Sequence, residues 1–522
     1  MSFHPPACEN INGAGMPEPG TGRWVLAATI LASSMAFIDG SALTVALPAL
    51  QADLRASGAE LLWIVDGYLL MLGAFILVGG SLGDRFGRKR IFMIGISLFA
   101  LSSLACGLSP FTRFLIGARI IQGAGGALMI PGSLSIITSF FTREARGRAI
   151  GTWSGASTVV VVLGPFLGGL LADAGFWRGV FLINPPLAVV ALVILLKKVP
   201  ESRDEEGGRL DAAGAVLAAA GLALLTYSFI SAPAAGFGSP GIILPLTAGL
   251  ILLAALVSRE RRAVSPMIPP GIFRSRNFSG ANLLTLFLYG ALSVATLFLP
   301  LNLVQAQGYT PLLAGLTFLP FSLLLAGLSR WSGGLVDRFG PRLPLTAGPS
   351  LVAAGFLLMA LPGVTSGPGD FWRTYLPGIV ILGAGMGLTV APLTTTVMTA
   401  LPERLAGVES GVNNAVARVA GLLAIATVGA VALISFARFL DTKTNNLGLN
   451  GAARRELQAE ASRLGEAKPP AAVPASQAHA VRGAIKAAFA DTFRVLMVIC
   501  AALAVISVIM VQLLIRNEPR EN

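Results

Sequence analysis

Four ionisable side chains stand inside long apolar runs of this sequence: Asp39 in FIDGSALTVALP, Asp66 in WIVDGYLL, Arg119 in ARIIQGAGGA and Arg418 in ESGVNNAVARVAG. A charge within an apolar helix is expensive unless it faces a cavity or a partner, so each marks a candidate functional position. The chemistry open to these residue types is proton binding and charge recognition. Desolvation and an approaching guanidinium act in opposite directions on a carboxyl, so protonation of Asp39 can follow conformation. Arg119, Gln122 and Gly123 are spaced i, i+3 and i+4 and share one helix face. Arg418 is a second intramembrane cation.

Between the runs, GSLGDRFGRKR (80–90) gathers Gly80, Asp84, Arg85, Gly87 and Arg88. Asp84 and Arg88 at i, i+4 can pair on a helical turn while the carboxylate faces a neighbouring helix N-terminus. GGLVDRFGPR (333–342) repeats the pattern with Asp337 and Arg338. LGPFLGG sets Gly164 and Gly168 on one small-residue face for close helix approach, beside Gly169, and Pro165 permits a kink. Other chemistries lack their residues. Cys8, Cys106 and Cys500 are far apart, and His4 and His479 lie in polar segments, so neither a disulfide framework nor a metal site is implied. No GxxxxGK[ST] motif supports ATP-driven export, and a membrane-embedded enzyme would want His, Cys or paired carboxylates converging at one depth. No cofactor is called for.

The elements that position these residues follow from composition. Of 522 residues, 54% are hydrophobic and 12% charged. A soluble domain carries roughly 25% charged residues, so the bilayer must be the solvent. A span needs ~20 mostly apolar residues. Fourteen segments qualify: 24–48, 61–82, 91–108, 113–137, 148–172, 178–197, 211–230, 241–258, 278–305, 311–335, 343–361, 373–399, 408–436 and 492–515. The polar, Gly/Pro-rich start and the length of the first run argue against a cleaved signal peptide.

The net charge of +12 sits in alternate short loops rather than in a nucleic-acid-binding patch. Arg85, Arg88, Lys89 and Arg90, and the later clusters at 143–148, 197–209, 259–276, 338–342 and 404, are predicted cytoplasmic. Both termini then lie inside and 437–490 outside, as an amphipathic hairpin or a mobile loop. Asp66 falls near the external mouth, where a carboxylate suits a helix start and would attract cations. The repeated DRFG loops suggest two six-helix halves, 24–198 and 263–515, with two inserted helices at 199–262 and short tails at 1–23 and 516–522.

With these motifs in hand, the chain resembles the fourteen-helix drug:proton antiporter branch of the major facilitator superfamily. The 80–90 loop matches GxLxDRxGRK, residues 119–125 match RxxQGxG, and LGPFLGG resembles GxxxGPxxGG with Val160 in place of the leading Gly. FIDGSALTVALP resembles DxTxVNVALP, with Ser41 and Thr44 in place of the usual Thr and Asn. The resemblance implies an all-α major facilitator fold, a latch at Asp84, proton coupling at Arg119 and export rather than import. WxVDxY around Asp66 resembles members exporting cationic biocides. The expected function is proton-coupled export of small amphipathic, possibly cationic compounds across the inner membrane by alternating access. The expected partners are substrate, protons and lipid, for a monomer that could meet envelope adaptor proteins. The rival is a symporter or uniporter for sugars or organic acids.

Overall fold

The computed structural model describes residues 21–203, 211–263, 266, 268–400 and 406–517, without the side chains of residues 143, 144, 158, 330, 337 and 406–408. Most of both predicted tails, Arg404 and the side chain of Asp337 therefore lie outside the described residues. Fourteen helices are long and apolar enough to cross a bilayer: α1 Thr21–Leu54, α2 Gly58–Phe86, α3 Arg88–Gly107, α4 Thr112–Phe140, α5 Ala145–Asp173, α6 Gly179–Lys198, α7 Ala212–Ala235, α8 Pro240–Arg262, α9 Arg276–Ala306, α10 Pro311–Ser329, α11 Arg342–Met359, α12 Leu376–Thr399, α13 Glu409–Leu447 and α14 Ala475–Leu514. Among the described residues no strand occurs.

Two bundles result. In the first, α1 packs on α4, α5 and α6, α2 on α4, and α3 on α4 and α6. In the second, α9 packs on α13 and α14, α11 on α12 and α14, and α10 on α12. Helices α7 and α8 pack on each other, and α7 lies across α2 and α13, one helix from each bundle. At the foot of this pair Asp211 caps α7 by accepting from the Gly214 N–H at 2.8 Å. It also binds Arg259 of α8 at 2.9 Å, and hydrogen bonding from Arg259 holds its carboxyl below the ordinary range.

The two DRFG loops turn alike. Gly87 (φ 106°) and Gly340 (φ 74°) both adopt the left-handed region that a side chain disfavours, each ending a helical segment before α3 or α11. The residue that follows the sixth helix of each bundle then clasps this turn. Glu201 accepts from the N–H groups of Lys89 at 2.9 Å and Arg90 at 3.0 Å. Asn517 accepts from the N–H of Arg342 at 3.3 Å. In both places a Cβ on the glycine would collide with the clasp, so the sequence repeat is also a repeat of tertiary contacts.

The side carrying the 80–90 loop is called here the basic side, and the opposite one the cap side. There the segment 437–490 differs from the expected hairpin or mobile loop. Helix α13 continues well beyond 436, α14 begins at Ala475 rather than 492, and a short helix, Gly451–Glu460, lies between them. Ala, Arg, Lys and Glu are good helix formers, so helix persists where apolar composition stops. Lys443 binds Asp491 at 2.7 Å between the two protruding ends.

Candidate functional site

The core of the first bundle holds a buried polar knot built from five helices. Asp39 is wholly buried on α1, and Arg119 of α4 is 2% exposed. Nη1 of Arg119 donates to Oδ2 of Asp39 at 2.5 Å and to Oε1 of Gln122 at 2.6 Å, while its Nε donates to the Ile64 carbonyl at 3.0 Å. Gln122 then donates to Oδ1 of Asp39 at 2.9 Å and to the Ser103 hydroxyl of α3 at 2.7 Å. Asn184 of α6 donates to that same hydroxyl at 3.0 Å. Both carboxylate oxygens of Asp39 are thus bonded, one of them by a charged donor. The Tyr68 ring lies 4.4 Å from the guanidinium carbon and the Phe181 ring 5.8 Å.

Sequence spacing brought Arg119 and Gln122 together and the WxVDxY pattern took in Tyr68, but Ser103 and Asn184 carry no such signal. Serine and asparagine in an apolar helix are unremarkable until a neighbour turns toward them. The only hint was the place of Asn184 before Pro185 and Pro186.

Asp66 does not join this knot and does not stand at a mouth. It is wholly buried, and neither carboxylate oxygen has a hydrogen-bond partner. Its position on α2 lies in the stripe formed by Leu62, Leu69 and Gly73, which face Gly429, Gly421 and Arg418 of α13 respectively. One turn along, Leu70 packs with Leu222 of α7 and Leu422 of α13. The expected external funnel is replaced by a sealed seam, because α7 and α13 cover this flank of α2.

Arg418 lies on α13 at that seam and is partly exposed. A Cβ on Gly73 would be 3.5 Å from its own Cβ. On the α9 side, Gly290 packs on Ala420 and Ala424 of α13, which brings its neighbour Tyr289 to the same stretch of the seam. Among the described residues no carboxylate lies within ion-pair reach of it.

In the 80–90 loop, Nε of Arg88 donates to Asp84 at 2.9 Å. The pair spans the break at Gly87 rather than one helical turn, and the carboxylate serving the N-terminus of α3 is that of Glu201, not of Asp84. Gly80 packs toward Pro131, and Arg85 lies 5.2 Å from the centroid of the Phe86 ring. Arg338 is exposed in the second loop.

The LGPFLGG stretch makes close contacts both within the first bundle and between the bundles. A Cβ on Gly164 would collide with the Ser41 side chain, and one on Gly168 with the Ala42 carbonyl, both of α1. Across the bundles, a Cβ on Gly169 would lie 2.6 Å from the Pro311 carbonyl of α10, and one on Gly315 of α10 would collide in turn with the Pro165 carbonyl. These contacts lie toward the cap side. There Gln305 of α9 donates to Gln51 of α1 at 2.9 Å, and Gln51 donates to the Arg463 carbonyl at 3.0 Å. At the same junction Arg55 and Leu464 hold φ values of 51° and 56°, a left-handed backbone unusual for side chains of their size. Toward the basic side, Gly147, Gly151 and Gly155 of α5 have nothing within 4 Å of a Cβ position.

Comparison with known proteins follows this geometry. The Major Facilitator Superfamily matches residues 29–425. Multidrug resistance protein Stp of Mycobacterium tuberculosis is 35% identical over 411 residues, 78% of this chain and 75% of that protein. The Tetracenomycin C resistance and export protein of Streptomyces glaucescens is 30% identical over 512 residues, 97% of this chain and 93% of that one. Methylenomycin A resistance protein of Bacillus subtilis is 30% identical and covers 80% of this chain and 88% of its own. A bacterial homologue of the human lysosomal transporter Spinster, solved inward-facing and unoccupied, superposes with a TM-score of 0.67 at 17% identity, covering 97% of this chain and all of its own, a likeness of fold. A fourteen-helix fold and relatives named for drug resistance and export place the chain in the Major Facilitator Superfamily, among its drug-efflux members, as a transporter and not an enzyme.

Proposed function

We propose that this chain is a proton-coupled antiporter that exports small amphipathic organic compounds of drug or antibiotic type across the inner membrane. The observation that carries the reading is the buried knot of Asp39, Arg119 and Gln122. A carboxylate and a guanidinium enclosed at the centre of a helical bundle are costly to assemble, and replacing a buried pair by apolar residues is often neutral or stabilising. Their retention in an apolar bundle therefore fits a functional use. A proton arriving at Asp39 removes the charge that holds Arg119, leaves the guanidinium to the Ile64 carbonyl, Gln122 and the rings that already touch it, and so changes how α1 and α4 pack. Leaving restores the pair.

Alternating access supplies the path. Close backbone approaches and the Gln51–Gln305 bond hold the cap side shut, while toward the basic side one glycine face of α5, Gly147, Gly151 and Gly155, is open, although Trp153 of the same stretch still donates to Ser33 of α1. With the basic side cytoplasmic, as its loop charges require, this arrangement is the inward-facing state, ready to take substrate from the cytoplasm. The names of the relatives support drugs or antibiotics as the cargo.

Everted membrane vesicles test the proposal. Adding a transported compound to the cytoplasmic face should dissipate a preformed, acid-inside pH gradient. Accumulation of that compound with no loss of the gradient would exclude proton antiport and leave a uniporter.

A further inference from the structure

On the seam between the two bundles Arg418 and Asp66 stand on facing helices but do not pair. Asp39 and Arg119 neutralise one another inside the first bundle. Arg418 remains partly exposed on α13, some 18 Å from the start of its helix at Ala406 by helical rise, near the middle of a ~30 Å hydrocarbon core. Its nearest acids are misplaced. Glu409 is nine residues earlier, which puts it on the opposite face of α13 and ~13.5 Å away along the axis. Asp66 lies two turns from Gly73 toward the cap side, whereas a long side chain on α13 leans toward its own N-terminus, the basic side.

The surroundings favour a ligand over a structural partner. Ser410, Asn414 and Arg418 are spaced i, i+4 and i+8 and form a polar stripe on one face of α13, with Asn414 exposed and donating to the Ser410 carbonyl at 2.9 Å. The stripe runs from the basic side and ends at Arg418. Beyond it Gly421 faces Ser293 of α9 and Leu69 of α2. A guanidinium offers a planar fork of donors that fits a carboxylate in two parallel hydrogen bonds and stacks on aromatic faces. Here Tyr289 of α9 adjoins Gly290, which packs on Ala420 of α13, two residues from Arg418.

We propose that Arg418 is the recognition group for an acidic substrate: an aromatic or polycyclic compound bearing a carboxylate or ionised phenol, whose anion pairs with the guanidinium and whose ring lies against Tyr289. This rests on the exporter reading above and replaces its expectation of cationic cargo. It also gives the substrate a way to reach the proton site through α2, whose Tyr68 ring lies on Arg119 and whose Gly73 backs the Cβ of Arg418.

The test uses the full chain in lipid nanodiscs and three isosteric probes: anthraquinone-2-carboxylate, its amide and 2-(aminomethyl)anthraquinone. At pH 8 the acid should bind at least ten-fold more tightly than the amide. R418Q should erase that preference while leaving the amide's affinity in place, a result that a misfolded variant would not give, and R418K should keep part of it. Equal binding of acid and amide by the wild-type chain, or tightest binding of the amine, overturns the assignment whatever the variants do. Everted vesicles separate this from the exporter reading. If the amide or the amine is driven by a pH gradient and the acid is neither bound nor moved, export stands and the role of Arg418 fails. If the acid binds through Arg418 and no probe is driven, the recognition site stands and export fails.

Discussion

The guanidinium carbon of Arg119 lies 4.4 Å from the centre of the Tyr68 ring, so the cation that holds Asp39 is also packed on α2, the helix that meets the second bundle. Any change of charge at Asp39 must therefore be felt at the seam between bundles. A lone ion pair inside one bundle would have no such lever.

Because both partners are buried, single and paired substitutions should differ. Arg119→Ala leaves the Asp39 carboxylate enclosed without its counter-charge, which typically costs about 3–5 kcal/mol. A drop in thermal stability of the purified protein is expected, with part of it recovered in an Asp39→Asn, Arg119→Gln double variant that removes both charges. Asp39→Asn alone should abolish uphill export yet permit downhill exchange. Full stability of Arg119→Ala would mean that the pair is not held as closely as the 2.5 Å contact implies.

Glu201 offers a second test. It satisfies two N-terminal donors of α3 and fills the space beside Gly87, a capping contribution of roughly 1 kcal/mol. Glu201→Ala should loosen the 80–90 loop and slow turnover several-fold while leaving substrate affinity alone, and Asp84→Asn should act in the same direction. A change confined to affinity would place both residues in the substrate path instead.

How far this site could be read in advance depended on the range of the interaction. Spans were legible because apolar run length is a local property, and Asp39 and Arg119 stood out as charges in apolar company. That a guanidinium should approach Asp39 was legible from the chemistry, but the geometry of the pair was not, since only the packing of α1 on α4 brings the two together across 80 residues. Glu201 and Asn517 looked like any polar residue after a helix. Asp66 was misplaced because nothing in its own run reveals that α7 and α13 cover it. The ends of α13 and α14 were cut short because hydropathy falls where helix propensity does not.

Topology can be checked by labelling, which the buried state of the free thiols Cys106 and Cys500 simplifies. A cysteine in place of Ser476, exposed on the cap side, should react with an impermeant maleimide added to intact cells, while one at Ser202 should not. Reversed labelling would invert the direction of transport.

The cap-side seam should have to open in each cycle. Gln51 and Gln305 touch across it, so cysteines at both positions joined by a short bifunctional thiol reagent should stop transport while binding from the basic side persists. Transport that continues through the cross-link would place the moving gate elsewhere.

Membrane potential discriminates the charge of the cargo most sharply. One charge crossing 100 mV is worth about 2.3 kcal/mol, or roughly a fifty-fold gradient. A neutral compound exchanged for one proton moves one net charge and gains that factor. A monovalent cation exchanged one-to-one moves none and responds only to the pH gradient. A monovalent acid leaving as its anion against one entering proton moves two, about 4.6 kcal/mol, and the factor is squared to roughly two-thousand-fold. Clamping the potential to zero with potassium and valinomycin, at a constant pH gradient, should therefore collapse the steady-state accumulation of anthraquinone-2-carboxylate far more than that of its amide. With Arg418→Gln, any acid still carried would cross in its protonated form, and the two sensitivities should converge. An acid whose accumulation is untouched by the clamp would show that it travels without its charge, and Arg418 would then have no anion to hold.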